Sequence, residues 1–302
     1  MSDLTLALDI GGTKISAGLV DRGGDLVRTE ELPTPRGAGA EAVWRVVEEL
    51  IVRSTTGAPV RGVGVASAGP IDLPAGTVSP INVPAWRDFP VRERVAATLG
   101  GLPVRLAGDG LCMALGEHWR GAGQGARFLL GLVVSTGVGG GLVLDGAPYA
   151  GRTGNAGHVG HVVVDVAGPP CSCGGHGCVE TIAAGPKMVA WARENGWAAS
   201  PDADAQVLAV AAAAGDAVAV QAFERAATAV AATIASVAAV CDLDRVVIGG
   251  GVARSGAILF EPLRAALGRF TGLGFLAGLT VRPARLGAAA GLVGAAALLR
   301  EA

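Results

Sequence analysis

An aspartate closes the apolar run Leu6-Ala7-Leu8-Asp9-Ile10, and Gly11, Gly12, Thr13 and Lys14 follow at once. A carboxylate in an apolar strand is costly unless it is paired or works on a metal. Two glycines let backbone N–H groups approach an anion that a threonine and a lysine also reach. The segment therefore suits phosphate and magnesium, although an ordinary hairpin turn uses the same glycines. Two later segments repeat the design. Leu132-Val133-Val134 delivers Ser135, Thr136, Gly137 and then Gly139 to Gly141, and Arg245-Val246-Val247-Ile248 delivers Gly249, Gly250 and Gly251. Three strand-to-glycine junctions point to a nucleotide lying between two sheets. None has the G-x-x-x-x-G-K-[ST] spacing of a Walker loop, and the first lacks the G-x-G-x-x-G of a dinucleotide fingerprint.

A second kind of chemistry is concentrated between Gly151 and Glu180. His161, Cys171, Cys173 and Cys178 offer one nitrogen and three sulfur ligands, a set that suits tetrahedral zinc, with the short C-x-C-x4-C spacing of a metal knuckle. With four protein ligands and no open position, such zinc is structural. Packed thiols or a disulfide pair are the alternative. The start of the chain lacks the basic segment of a signal peptide, which speaks against stable disulfides.

The three junctions resemble the actin-like ATPase superfamily, in which two related domains close on ATP. Adding the knuckle, and Gly108-Asp109 ahead of Ala114-Leu115-Gly116-Glu117, the chain resembles the ROK family of sugar kinases over nearly its whole length. That resemblance implies a two-domain actin-like, ribonuclease H-like α/β fold with an interdomain cleft and a zinc knuckle. It also implies an ATP-dependent, magnesium-assisted kinase for the 6-hydroxyl of a hexose or aminohexose, acting as a cytoplasmic homodimer. ROK repressors carry an added winged helix before the phosphate motif. The start of that motif at Asp9 is read as leaving no room for one, so an enzyme is expected.

The resemblance assigns roles residue by residue. Asp109 accepts the proton of the sugar hydroxyl; on the residues alone it could equally cap the helix that follows. Asp9 positions magnesium through water in the family pattern, while Gly11, Gly12, Thr13, Thr136, Gly137 and the Gly249–Gly251 run hold the nucleotide. Lys14 is a phosphate contact or a solvated charge. Asn82, in Asn82-Val83-Pro84-Ala85-Trp86, hydrogen-bonds the sugar or shapes a turn. Glu180 matches a sugar-binding glutamate, and His161 both ligates zinc and faces the sugar. Two positions depart from the family pattern: Gly108 stands where an Asn precedes the catalytic aspartate, and His158 replaces the Glu of A-G-E-x-G-H. Gly108 removes an amide and leaves space; His158 exchanges a fixed anion for an imidazole. The altered edge of the pocket would face the 3-hydroxyl of glucose. On this ground the chain resembles the ROK-type kanosamine kinases of actinomycete ansamycin pathways, and 3-amino-3-deoxyglucose is the expected substrate. A glucokinase with a rearranged pocket, a sugar-sensing ROK protein without turnover and an actin-like assembly protein are the alternatives.

The elements that must position these residues follow from periodicity. Strands are expected near 4–10, 15–20, 25–32, 61–66 and 104–107, with helices at 40–54, 91–99, 111–119 and 288–301. Alternation of the two kinds argues for sheets flanked by helices. Residues 1–110 with 288–302 are expected as a small domain, and 111–287 as a large one carrying the knuckle. At 302 residues the chain can bury two cores. Its net charge of −2 argues against a general nucleic-acid binder. The apolar run from Ala226 to Cys241 is short for a bilayer and reads as a core helix, so no membrane partner is expected. Cys112 and Cys241 read as packed thiols.

Overall fold

The computed structural model describes residues 3–300, which form two compact units. The first comprises the N-terminal segment to Gly125 with Gly141–Gly157 and the chain from Arg285 onward; the second comprises Ala126–Gly140 and His158–Ala284.

The first unit begins with the strands β1 (Leu4–Ile10), β2 (Lys14–Val20) and β3 (Leu26–Pro33), then helix α1 (Ala40–Thr55) and strand β4 (Val60–Ser67). A small hairpin of β5 (Ile71–Asp72) and β6 (Thr77–Val78) precedes α2 (Val91–Thr98), β7 (Val104–Gly108) and α3 (Asp109–Arg120). The main sheet has the order β3-β2-β1-β4-β7. Its first two pairings are antiparallel, and β1, β4 and β7 run parallel. Register aligns the ends of the parallel strands. Ile10 pairs with Ser67 and Ser67 with Gly108, so the turn after β1 and the start of α3 leave the sheet at the same edge. With strands about 4.8 Å apart, the two junctions are about 10 Å from each other across β4. Carboxyl ends of parallel strands are where open α/β sheets bind ligands.

Leu6, Leu8 and Ile10 are fully buried and join Val43, Val47 and Leu50 of α1 and Val63 and Val65 of β4 in one core. Such a strand, buried on both faces, reads as a continuous apolar run rather than an alternating one. The C-terminal helix α9 (Ala290–Ala297) packs against β1, β4 and α3. Its approach to β4 is so close that a Cβ on Gly64 would overlap the carbonyl of Ala295. The helix starts two residues later than its apolar pattern suggests, because Gly287–Ala289 forms a 3-10 turn first.

The second unit contains β8 (Leu129–Val134), the beginning of β9 (Val138–Leu144), β11 (Arg245–Gly249) and β12 (Thr280–Pro283). β10 (Ala147–Tyr149) pairs antiparallel with β9, while β8, β11 and β12 are parallel, giving the order β10-β9-β8-β11-β12. Both larger sheets are thus mixed. Its helices are α4 (Glu180–Ala183), α5 (Gly185–Glu194), α6 (Ala205–Ala213), α7 (Ala217–Cys241) and α8 (Ala257–Phe270). The expected core helix begins at Ala217, nine residues ahead of the apolar run, where Asp216 caps it by accepting from the N–H groups of Val218 and Ala219. At 25 residues it is long and apolar enough to cross a membrane, yet half of its most apolar stretch is buried within the fold, and it packs along α8.

Candidate active site

In the first unit the turn Gly11–Lys14 is closed by the Gly11 N–H donating to the Lys14 carbonyl at 3.1 Å. Thr34, buried beyond the end of β3, fastens it from behind. Its hydroxyl donates to the Gly11 carbonyl at 2.7 Å and its N–H to the Thr13 carbonyl at 3.0 Å. Thr13 and Lys14 are exposed, and the Lys14 ammonium pairs with Glu31 at 2.6 Å. Gly12 lies against Asn82: a Cβ there would come within 2.6 Å of the asparagine side chain. The loop holding Asn82 is anchored by Trp86, which is fully buried, stacks on Phe89 at 4.1 Å and donates its indole N–H to the Ala40 carbonyl.

Asp9 lies mostly buried near the end of β1, and its pKa is raised from 3.8 to about 6. Burial is the main cause; the charge of Asp109 adds to it, and Lys14 opposes it. The two acids therefore feel one another, as expected of a site that assembles negative groups for a cation to neutralise. Gly108 takes the N-cap position of α3 with φ −64°, so Asp109 is the first helical residue. The exposed Asp109 accepts the N–H of Gly110 at 2.7 Å through Oδ1. A Cβ on Gly108 would meet nothing within 4 Å. Cys112, one turn along α3, is fully buried; burial and the charges of Asp9 and Asp109 push its thiol well above the usual range. It is a packed neutral thiol.

In the second unit the two glycine junctions meet. Gly250, at φ +98°, fits so closely that a Cβ would overlap the Val134 carbonyl, and one on Gly251 would stand 3.3 Å from the Ser135 hydroxyl. Ser135 is held in turn by its N–H to the Gly137 carbonyl at 2.9 Å and by its own carbonyl accepting from Gly185 at 2.7 Å. Thr136 is exposed on this turn. Glu180, at the start of α4, accepts the Val138 N–H at 2.9 Å, and a Cβ on Gly137 would come within 2.8 Å of the same carboxylate. The 3-10 turn Val159–His161 packs on the other side of this residue, for a Cβ on Gly160 would overlap the Val138 carbonyl. Thr136, Gly137, Glu180 and the turn bearing the exposed His158 and the half-buried His161 thus surround one strand start.

The four knuckle ligands converge as well. One donor atom from each of His161, Cys171, Cys173 and Cys178 lies within 4.8 Å of every other. Cys173 and Cys178 sulfurs are 3.7 Å apart, as are Cys171 Sγ and His161 Nδ1. A tetrahedral ion about 2.3 Å from each sulfur sets an edge of about 3.8 Å, whereas a disulfide needs about 2.05 Å. The donor set and its spacing fit zinc and exclude a disulfide in this conformation. Nδ1 faces the sulfurs, leaving Nε2 of His161 for another partner. Gly174 and Gly177, at φ +90° and +65°, make the sharp bends of the loop, and Gly177 donates to Pro169 at 2.9 Å.

Residues 5–302 match the model of the ROK family. The chain belongs to that family. It is 35% identical to a glucokinase of Thermotoga maritima over 98% of this chain and 97% of the relative. An N-acetylmannosamine kinase of Salmonella typhi is 37% identical over 87% of this chain and 88% of its own. Among solved structures, a ROK family glucokinase from Streptomyces griseus in complex with glucose and AMPPNP superposes with a TM-score of 0.84 at 33% identity, covering 98% of each chain.

Two structural residues escaped the sequence reading. Asn155 lies three residues before His158, and its side chain pairs both ways with the backbone of Ile71: Oδ1 accepts at 3.0 Å and Nδ2 donates at 2.7 Å. Thr34 is the other. Neither has a signal in its own neighbourhood, because each partner is distant in sequence.

Proposed function

We propose that this ROK-family enzyme, an ATP-dependent hexose kinase, transfers the γ-phosphoryl group of ATP to the 6-hydroxyl of a hexose altered at the 3-position, with kanosamine as the specific reading. The observation that carries the reaction is the placement of Asp9 and Asp109 at the same end of one sheet, at the ends of β1 and β7 with β4 between them, close enough for the charge of Asp109 to add to the burial that raises the pKa of Asp9. Asp109 takes the hydroxyl proton as the sugar oxygen bonds to phosphorus and the bond to the β–γ bridging oxygen breaks, releasing ADP. Alignment and charge neutralisation supply most of the acceleration in such a transfer. Asp9 would hold magnesium through water, the Gly11–Thr13 turn and the Thr136–Gly137 and Gly249–Gly251 turns the phosphates and nucleotide. Asn82, Glu180, His158 and His161 would contact the sugar, and zinc on the four knuckle ligands would stiffen the loop that ends at Glu180.

The support for a substrate other than glucose is the open space beside Gly108 together with His158 in place of an acid. The second reading, a glucokinase, is favoured by the glucokinase relatives at 35% and 33% identity. An actin-like two-domain architecture, cytoplasmic location and a homodimer belong to the same reading, the last on family resemblance alone. Coupled-assay kcat/KM values for kanosamine, glucose, glucosamine and N-acetylmannosamine, with Asp109→Asn as the blank, test it. Preference for kanosamine supports the specific reading, preference for glucose supports the second, and turnover by Asp109→Asn at the wild-type rate removes Asp109 as the base.

A further inference from the structure

A carboxylate outside the reaction just described is completely buried two turns along α3 from Asp109. Glu117 exposes no surface, and its oxygens are filled by main-chain donors: Oε2 accepts from Ala122 at 2.8 Å, Oε1 from Leu286 at 2.7 Å, and both from Arg285 at 2.9 and 3.1 Å. Room for the carboxylate is made by Gly121, where a Cβ would overlap Oε2. An ionised group is retained in such a place only when donors replace its water. Here the donors come from two separate segments, the turn after α3 and the stretch that leads into α9.

Those two helices carry the contacts of both acids. Asp109 begins α3, and Gly291, second in α9, lies against the Asp9 carboxylate. The helices meet where only glycine fits: a Cβ on Gly116 would overlap the Ala290 carbonyl, and one on Gly294 the Cys112 carbonyl. We propose that Glu117 is a positioning residue for the phosphoryl transfer, which seats α3 against the start of α9 and thereby sets Asp109 relative to Asp9. The inference rests on the kinase reading above. Eight residues of helix separate Glu117 from Asp109, about 12 Å. A tilt of about 5° at the Glu117 end therefore moves Asp109 by about 1 Å, a displacement that can cost about 100-fold in rate.

A buried acid that only stabilised the fold would lower the folded fraction and leave each folded molecule with normal turnover. Glu117→Gln keeps the volume, removes the charge and turns an amide donor toward the N–H groups. Gly121→Ala keeps the charge but displaces it. The measurements are folded fraction by thermal melting, sugar Kd by calorimetry, and kcat per folded molecule on the sugar that the wild type uses best. Leu50→Ala, on the buried face of α1, is the control for stability loss alone. Glu117→Gln is expected to lower kcat per folded molecule by about 10- to 100-fold with sugar Kd within about 3-fold, and Gly121→Ala to act in the same direction, while Leu50→Ala leaves it unchanged. Wild-type kcat per folded molecule in both site variants overturns the inference and leaves the kinase reading standing. A wild-type protein that phosphorylates no sugar overturns both.

Discussion

The Asp9 carboxylate lies where a side chain on Gly291 would have to be: a Cβ built there overlaps Oδ2 and approaches Cγ to 3.1 Å. Gly291 is the second residue of α9, so the acid faces the positive end of a helix. Such an end favours an anion by about 0.3–1 kcal/mol. Burial and Asp109 outweigh it, since the pKa still rises to about 6. Gly291→Ala should push Asp9 off its position with the rest of the sheet in place. Steady-state kinetics with varied magnesium–ATP should show kcat/KM for the nucleotide reduced by at least about ten-fold; an unchanged value would separate Asp9 from nucleotide handling.

The raised pKa gives Asp9 opposite effects on activity and stability. Its charged form is the one that can serve a cation, so kcat/KM should fall as pH drops through about 6. For folding, a pKa of about 6 in the native chain against 3.8 unfolded means that the native state holds the proton more tightly. The carboxylate's contribution is therefore neutral below about pH 3.8, becomes destabilising between 3.8 and 6, and is fully destabilising above. A shift of about two units corresponds to about 2–3 kcal/mol. Asp9→Asn should melt higher than the wild type at pH 7.5, with the gap closing toward pH 4, and should have lost most of its activity. A variant no more stable at pH 7.5 would show that the native fold does not penalise the charge.

How much of this was legible in the sequence depends on the reach of each interaction. Leu4–Ile10 reads as a buried strand from its apolar run alone, and the three glycine junctions announce themselves by local composition. The knuckle is legible because its four ligands fall within 18 residues of sequence. Glu117 is different: its residue type and helical context say nothing of Arg285, 168 positions away, whose N–H fills its oxygens. Thr34 and Asn155 fail for the same reason. The early start of α7 at Ala217 was hidden because Gln221, Glu224 and Arg225 interrupt the apolar pattern, while the Asp216 cap that fixes the start is a single residue.

Removal of the knuckle metal should separate its structural role from catalysis. Elemental analysis is expected to give about one zinc per chain, and replacing Cys171 and Cys173 with Ser should release it and lower the melting temperature. Because Glu180 follows Cys178 by two residues and holds the Val138 N–H, sugar KM should rise along with the loss of metal. Unchanged metal content in the double variant would exclude the four-ligand site.

The substrate question turns on Gly108. Its φ of −64° is open to any residue, and a Cβ there meets nothing within 4 Å, so Gly108→Asn should fold with stability within about 0.5 kcal/mol of the wild type. The new amide would stand next to Asp109, able to donate and accept where the present backbone cannot. His158→Glu would restore a fixed acceptor on an exposed turn at a similarly small cost in stability. Each added hydrogen bond to a sugar hydroxyl is worth about 0.5–1.5 kcal/mol, more where the carboxylate takes part. The double variant should therefore gain about 10- to 100-fold in kcat/KM for glucose relative to kanosamine. Competition assays with both sugars in one mixture read that ratio directly. A ratio unmoved by the double substitution would mean that these two positions do not set the preference.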